Sequence, residues 1–372
     1  MTPKQRFITA VRGGLPDQVP CSPLIHHRYA RKIVGETDWR ACFEVHKRLG
    51  SVAHRGPIGI GWRVGELPPG YSQRSEGVPA EGNRRGIRTW ITTPKGELSS
   101  LQVWGFVPGD PEIGKAIEPF VKQPEDWRVY ADWLGAVAEN SSPDTSTARE
   151  AYEVMGEEGV ASVGFGSVFA QLGAARDMQP LIYDLYDCPD LLEAAAEAIR
   201  YMNRRCAEAF ASELPNEVCW LDICWATGAE ISLQDMERWV LAEAREMVDI
   251  IHSRPGKYIG YYTLGRIRRY MPALVDTGAD FVETFEQNMG DLPLWEAKKL
   301  YGDRICLMGN FDCVLLARGT VEQARQEARR CLSEAMDGGG YVMVTADEVP
   351  TDAKWENLRA MVEVCEEEGR YE

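Results

Sequence analysis

The segment Tyr258-Ile259-Gly260-Tyr261-Tyr262-Thr263 is apolar on both faces of an extended chain, and an apolar helix-like stripe comes just before it. A strand with no polar face has to be covered on both sides, which is the mark of a parallel sheet wrapped by helices. The same reading extends outward from it. Ala161–Phe165, Val218–Cys224, Phe281–Phe285, Ile305–Gly309 and Tyr341–Thr345 are further strand-like runs, and helix-like stretches separate them. Ser232 opens a stripe of Leu233, Met236, Val240, Met247 and Ile251. Thr320 and Gln323 form a capping-box pattern ahead of Ala324, Ala328, Cys331 and Ala335. Leu192, Ala195, Ile199, Met202, Cys206 and Phe210 make another stripe, and Trp355, Leu358, Met361, Val362 and Cys365 the last. With candidates at Val19–Leu24 and Pro57–Trp62, the runs reach the strand count of a (β/α)8 TIM barrel. Residues 88–107 break the rhythm: Thr89-Trp90-Ile91-Thr92 alternates, Pro94-Lys95-Gly96 turns, and Leu98–Val103 resumes. This predicts a β-hairpin inserted in the barrel. No repeat or linker-like composition interrupts the chain, so residues 1–372 are expected to form one domain.

Composition narrows the function. The 372 residues carry a net charge of −16, with 44% hydrophobic and 26% charged residues. That charge argues against a nucleic-acid or membrane-surface partner, since both call for clustered positive charge. The longest uncharged stretch, Gly159–Ala175, is too rich in glycine and polar residues for a membrane span. Met1–Arg12 has no signal-peptide core, and the ten cysteines include no CxxC pair. They read as reduced, mostly buried thiols, and the expected location is the cytoplasm.

A barrel of this kind does its chemistry at the C-terminal ends of its strands. Those ends are predicted to carry His26, His27 and Arg28, then Trp62, Asp222 with Cys224, Tyr262, Glu283 with Glu286, Asn310 with Asp312, and Asp347 with Glu348. So many acids would repel one another without a cation, a proton or a basic ligand. Glu283, Glu286 and Asp347, with His26 or His27, could form an oxygen-rich site for zinc or a harder cation. Cys219 and Cys224 should point to opposite faces of one strand, with Cys224 a candidate for the inside. Trp62, Trp104 and Trp225 could wall an aromatic or cationic substrate. His252 is expected at a helix C-terminus, and His46 and His54 on the surface or a helix. Gly164-Phe165-Gly166-Ser167 lacks the rest of a dinucleotide fingerprint.

Several motifs point to a family. Met1-Thr2-Pro3-Lys4-Gln5-Arg6-Phe7 followed by Pro16-Asp17-Gln18-Val19-Pro20, Thr93-Pro94-Lys95-Gly96-Glu97-Leu98, and Lys122-Gln123-Pro124-Glu125-Asp126-Trp127 open the pattern. Gly309-Asn310-Phe311-Asp312, Gly338-Gly339-Gly340-Tyr341 and Glu356-Asn357-Leu358-Arg359-Ala360-Met361 close it. With these the chain resembles the uroporphyrinogen decarboxylase superfamily, which also holds cobalamin-dependent methyltransferases, and nearly its whole length is covered. The resemblance implies a (β/α)8 barrel, in agreement with the strand count.

Within that superfamily, a true uroporphyrinogen decarboxylase has an arginine-rich loop near its N-terminus and an aspartate near the end of strand two. Here Arg28 and Arg31 are a thin echo of the loop, Pro57–Trp62 has no acid, and Asp347 stands where a histidine is expected. The zinc methyltransferases resemble one another in a His-x-Cys at strand five and a cysteine before strand eight's Glu-Ile-Pro run. On this alignment those positions hold Tyr262, Leu264 and Asp347, although Tyr261 is a one-residue alternative to Tyr262. The usual thiol-activating zinc ligands are thus absent. The remaining branch removes a methyl group from an ether or amine and passes it to the corrinoid of a partner protein. A poor leaving group needs an acid beside an apolar pocket, and a buried carboxyl kept protonated would serve. Asp347, Glu283, Tyr262 and Asp222 are the catalytic candidates on this reading. His26, His27, Arg28, Trp62, Cys224, Trp225 and Asn310 are the substrate-binding candidates. The partners expected are a small methylated substrate and a corrinoid protein, and a homodimer is compatible. A decarboxylase of a uroporphyrinogen-like or smaller carboxylated compound, and a non-catalytic ligand-binding barrel, stay open as alternatives.

Overall fold

A computed structural model describes residues 1–107 and 114–371. The chain divides into two compact units, one of Met1–Ile60, Thr145–Phe165 and Ala207–Glu372, the other of Gly61–Asp144 and Gly166–Cys206.

The first unit is built on a parallel sheet in the order Tyr341–Thr345, Cys306–Phe311, Phe281–Glu283, Tyr258–Tyr262, Val218–Asp222, Val163–Gly166. Its register places Asp222 beside Tyr262, Tyr262 beside Glu283, and Glu283 beside Met308. Three polar side chains therefore reach the same end of the sheet at one level. Two short segments continue the parallel arrangement through isolated bridges. Cys21 pairs with Met343, and Ala53 with Gly159. Val52 N–H donates to Cys21 O at 2.8 Å, which joins the two segments. The six-stranded ladder and these bridges bring eight extended segments around one core, as a (β/α)8 barrel requires. The ladder itself is not continuous around the ring.

The second strand position begins earlier than expected: Val52 and Ala53 pair at its start, and Gly59, inside the expected 57–62, makes a parallel bridge to Gly164. Gly61–Val64 instead pairs antiparallel with Ser141–Asp144 in the second unit. Ser51-Val52-Ala53 is too short and too bland a run to read as a strand without its neighbours.

The core takes Leu24, Val52, Val160, Val218, Tyr262, Phe281, Cys306, Met308, Val342 and Val344 from the eight segments, and Phe7 and Val11 from the helix Pro3–Val11. Alternate residues along each strand point inward, so bulk has to be balanced across neighbours. Two glycines do this. A Cβ at Gly164 would meet the Trp220 ring at 2.3 Å, and one at Gly260 would meet the Phe281 ring at 2.3 Å. The helices follow their sequence signals. Thr320 and Gln323 form the expected capping box before Val321–Ala335. The stripe begun by Ser232 runs through Leu233–Met236, a π turn over Glu237–Leu241, and Ala242–His252.

In the second unit the predicted hairpin is the middle of a larger antiparallel sheet. Arg84–Thr93 and Gly96–Trp104 turn at Pro94-Lys95, flanked by Ser72–Ala80 and Gly114–Glu118. Ile91 and Leu98 pack with Trp133 of the helix Trp127–Glu139. Asp184 is buried there, accepting from Trp127 Nε1 at 2.8 Å and Arg176 Nε at 2.7 Å. All ten cysteines are free thiols. Among the described residues no helix is long and apolar enough to cross a membrane.

The glycine contacts lead to a stability prediction. Gly260→Ala should lower unfolding stability by about 1–3 kcal/mol through overpacking against Phe281. Gly135→Ala, in the helix Trp127–Glu139 with nothing within 4 Å of the added Cβ, should raise it by about 1 kcal/mol. Urea unfolding of the two variants beside the parent checks both signs.

Candidate active site

Arg55 follows directly on the short second strand, and its guanidinium is held inside the barrel. The guanidinium carbon sits 3.5 Å from the centre of the Trp220 ring and 4.3 Å from that of Tyr262. Nη1 donates to Glu283 Oε2 at 2.8 Å. The other Glu283 oxygen is 2.7 Å from His54 Nε2, and His54 Nδ1 is 2.5 Å from Ser22 Oγ. Ser22 Oγ donates to Val52 O, so Nδ1 and Nε2 both face oxygens able to accept a hydrogen bond. Glu283 is fully buried. Burial alone would raise its pKa, but the Arg55 and His54 charges and hydrogen bonds outweigh that and hold it below the usual carboxylate range. The expectation of a protonated Glu283 is therefore overturned, and the cause is Arg55.

A second group sits at the end of Tyr341–Thr345. Tyr262 donates its hydroxyl to Asp347 Oδ1 at 2.6 Å, and Glu348 N–H donates to the same oxygen at 2.7 Å. Burial first, then the Asp347 charge, push the Tyr262 phenol far above its ordinary pKa, so it stays a neutral donor. Arg28 Nη2 donates to Glu348 Oε2 at 2.5 Å, and His26 Nε2 lies 3.2 Å from Glu348 Oε1. Burial, helped by the charges of His27, Arg28 and Arg55, lowers the His26 pKa to about 3. Its contact with Glu348 is thus that of a neutral imidazole. Burial raises the Glu348 carboxyl; Arg28 opposes the rise and Asp347 adds to it. Glu348, rather than Glu283, is the carboxyl whose proton is held more tightly.

The other candidates are more scattered. Tyr262, not Tyr261, faces the core; Tyr261 is hydrogen-bonded to Thr277 at 2.6 Å. Cys224 packs at the edge of the core, and its N–H donates to Asp222 Oδ1 at 3.0 Å. Burial and the Asp222 charge keep its thiol protonated. His27 opens the helix His27–Val34 with its ring 3.8 Å from that of His26. Trp225 is 36% exposed. Asn310 is buried, and its Oδ1 accepts from Arg330 Nη2 at 2.8 Å, away from the Arg55 group. Glu286 accepts from Gly265 N–H at 3.0 Å. Trp62 belongs to the second unit, where Arg205 stacks on it at 5.5 Å. His46 lies in the helix Trp39–Leu49, as expected, whereas His54 is buried outside any helix, contrary to expectation; each has a serine hydroxyl partner.

The donor set does not fit a thiol-activating zinc. Tyr262 and Asp347 satisfy each other, Leu264 packs on the core, and Glu283 is taken by Arg55 and His54. Among the described residues no three His, Cys, Asp or Glu side chains are grouped to hold a metal ion. Sequence reading missed Arg55, His54, Ser22 and Trp220. The one signal was a polar pair, His54-Arg55, straight after Val52-Ala53.

Folding favours the ionised form of Glu283, so its contribution is complete above the ordinary glutamate pKa. That contribution is lost as pH falls through the lowered value. Glu283→Gln leaves Arg55 buried without its counter-charge, at a cost of about 3–5 kcal/mol. Unfolding measured from pH 7 to pH 3 should show that the variant is destabilised at neutral pH. The gap to the parent should narrow on acidification.

The comparisons follow this geometry. The family model described as uroporphyrinogen decarboxylase (URO-D) matches residues 160–368. A methylated-thiol–coenzyme M methyltransferase of Methanosarcina mazei is 27% identical over 128 residues. That match spans 33% of this chain and 32% of the relative. A solved methyltransferase structure from the same organism superposes with a TM-score of 0.66 at 17% identity, covering 99% of each chain, which is a likeness of fold. The matched model takes in all six strands of the parallel sheet and both acids at the end of Tyr341–Thr345, and the chain belongs to the uroporphyrinogen decarboxylase family.

Proposed function

We propose that this protein is a methyltransferase that moves a methyl group from a small methylated donor, an ether, an amine or a related compound, to the corrinoid of a partner protein. The observation that carries the reading is the pair Asp347-Glu348, with the Glu348 pKa raised by burial and Tyr262 donating to Asp347. The names of the two relatives favour methyl transfer over decarboxylation. The ten free thiols suit a reducing compartment, and we place the protein in the cytoplasm.

The corrinoid, when bound, supplies the cobalt that accepts the methyl group. The chain's own part is to make the leaving group leave. Glu348 holds a proton where a departing alkoxide, amine or thiolate needs one. Asp347 fixes the Tyr262 hydroxyl. Arg28 and His26 fix Glu348 from its other side. No step is routed through zinc, because the donor set does not suit it.

The reading is tested by mixing the protein with cob(I)alamin and, in turn, methyl ethers, methylamines and methyl thioethers. Loss of the Co(I) absorbance in step with demethylated product is the expected result. No turnover with any donor, together with CO2 release from a carboxylated substrate, would replace it with the decarboxylase alternative. Glu348→Gln should lower kcat by about 100-fold or more, the scale of a lost general acid. The parent's kcat should fall as pH rises through the raised Glu348 pKa, and this alkaline limb should vanish in the variant.

A further inference from the structure

The geometry points to Arg55 and Trp220 as the anchor for a carboxylate carried by the substrate. This deepens the proposed function, since the anchored compound is taken to be its methyl donor. Three observations carry the inference.

First, among the described residues Glu283 is the one acid that accepts from Arg55, and the other nearby acids are bonded to different donors. Glu283 serves Arg55 and His54, Asp347 serves Tyr262 and the Glu348 amide, and Glu348 serves Arg28 and His26. Second, donors are left over. A guanidinium has five N–H groups, and among the described residues Arg55 gives a hydrogen bond only to Glu283. Its side chain is 14% exposed, so the remaining N–H groups are open to an incoming acceptor. Trp220, stacked directly on it, has a buried Nε1–H with no acceptor. Buried donors in folded proteins nearly always find a partner, so the missing group is an acceptor. Third, the cation position is filled. Trp220 and Tyr262 are the aromatic faces that could hold a cationic donor, and Arg55 already lies against both. A methylammonium group there would meet a like charge. A planar oxyanion would meet the edge of a fixed, planar guanidinium, the pairing for which arginine is suited. The ion pair to Glu283 and the Trp220 ring stacked against it keep that edge from turning away.

The test is a binding measurement without Co(I). Acetate, propionate and benzoate are titrated calorimetrically into the protein, each against its amide, with trimethylamine as the cationic probe. At least one carboxylate should bind ten-fold or more tightly than its amide and than trimethylamine. In the double variant Arg55→Gln with Glu283→Gln, which leaves neither charge alone, that preference should disappear while the circular dichroism spectrum is kept. Arg55→Lys, which keeps the charge and loses the planar fork, should lower the preference several-fold and covers the case in which the double variant does not fold. No carboxylate preference in the parent, or one that survives in a folded variant, overturns the proposal. A carboxylate preference with no methyl transfer would leave the anchor and remove the transferase reading. Methyl transfer from neutral ethers with no carboxylate preference would do the reverse.

Discussion

A carboxylate with no solvent exposure stays ionised only if the protein brings a counter-charge to it, and here Arg55 brings that charge to Glu283. The rest of the inner surface is arranged around this pair. His54 takes the second Glu283 oxygen and is backed by Ser22, so three of the eight extended segments are tied to one charged centre. Trp220 and Tyr262 come from two more, set edge to face with each other, and the guanidinium lies against both rings. Removing either charge leaves the other stranded in a dry core. The pair therefore acts as a constraint on the barrel as much as a feature of its chemistry.

The packing below this centre obeys the same economy of space. Gly164 leaves room for the Trp220 ring and Gly260 for the Phe281 ring. Placing Trp220 places Arg55, and placing Arg55 sets the charge of Glu283. The strand-eight group is linked through Tyr262, which stacks on Arg55 with its ring and holds Asp347 with its hydroxyl. The two groups of acids thus differ in pKa for a local reason. Glu283 has a cation and an imidazole against it, whereas Glu348 has the Asp347 charge beside it in addition to Arg28.

Much of this is legible in the sequence. Apolar runs, capping boxes and the Pro94-Lys95-Gly96 turn are local signals, set by side-chain periodicity and backbone preference over a few residues, and they appear in the structure where they were read. The acids at the strand ends are legible for the same reason, because a strand's end can be found from its own composition. The start of the second strand was not. Val52-Ala53 is held by partners at Cys21 and Gly159, and nothing within the run itself marks it as extended. An expected start at 57 leaves His54 and Arg55 outside the candidate site residues, although Gly59 does pair in parallel with Gly164. The hairpin was recognised while its two flanking strands were not, because Ser72–Ala80 and Gly114–Glu118 are polar edge strands with little alternation.

What the sequence determined by itself was the alternation of strands and helices, the inward parity that makes Tyr258–Tyr262 a two-faced strand, and the collection of acids at one end of the sheet. These depend on interactions that run along the chain. Only the tertiary structure decided which acid has its pKa lowered and which has it raised. Arg55 and Glu283 are 228 residues apart, and their pairing depends on register across several strands. A carboxyl's pKa is set by the charges and solvent within a few ångströms of it. That neighbourhood exists only once the strands have closed around it.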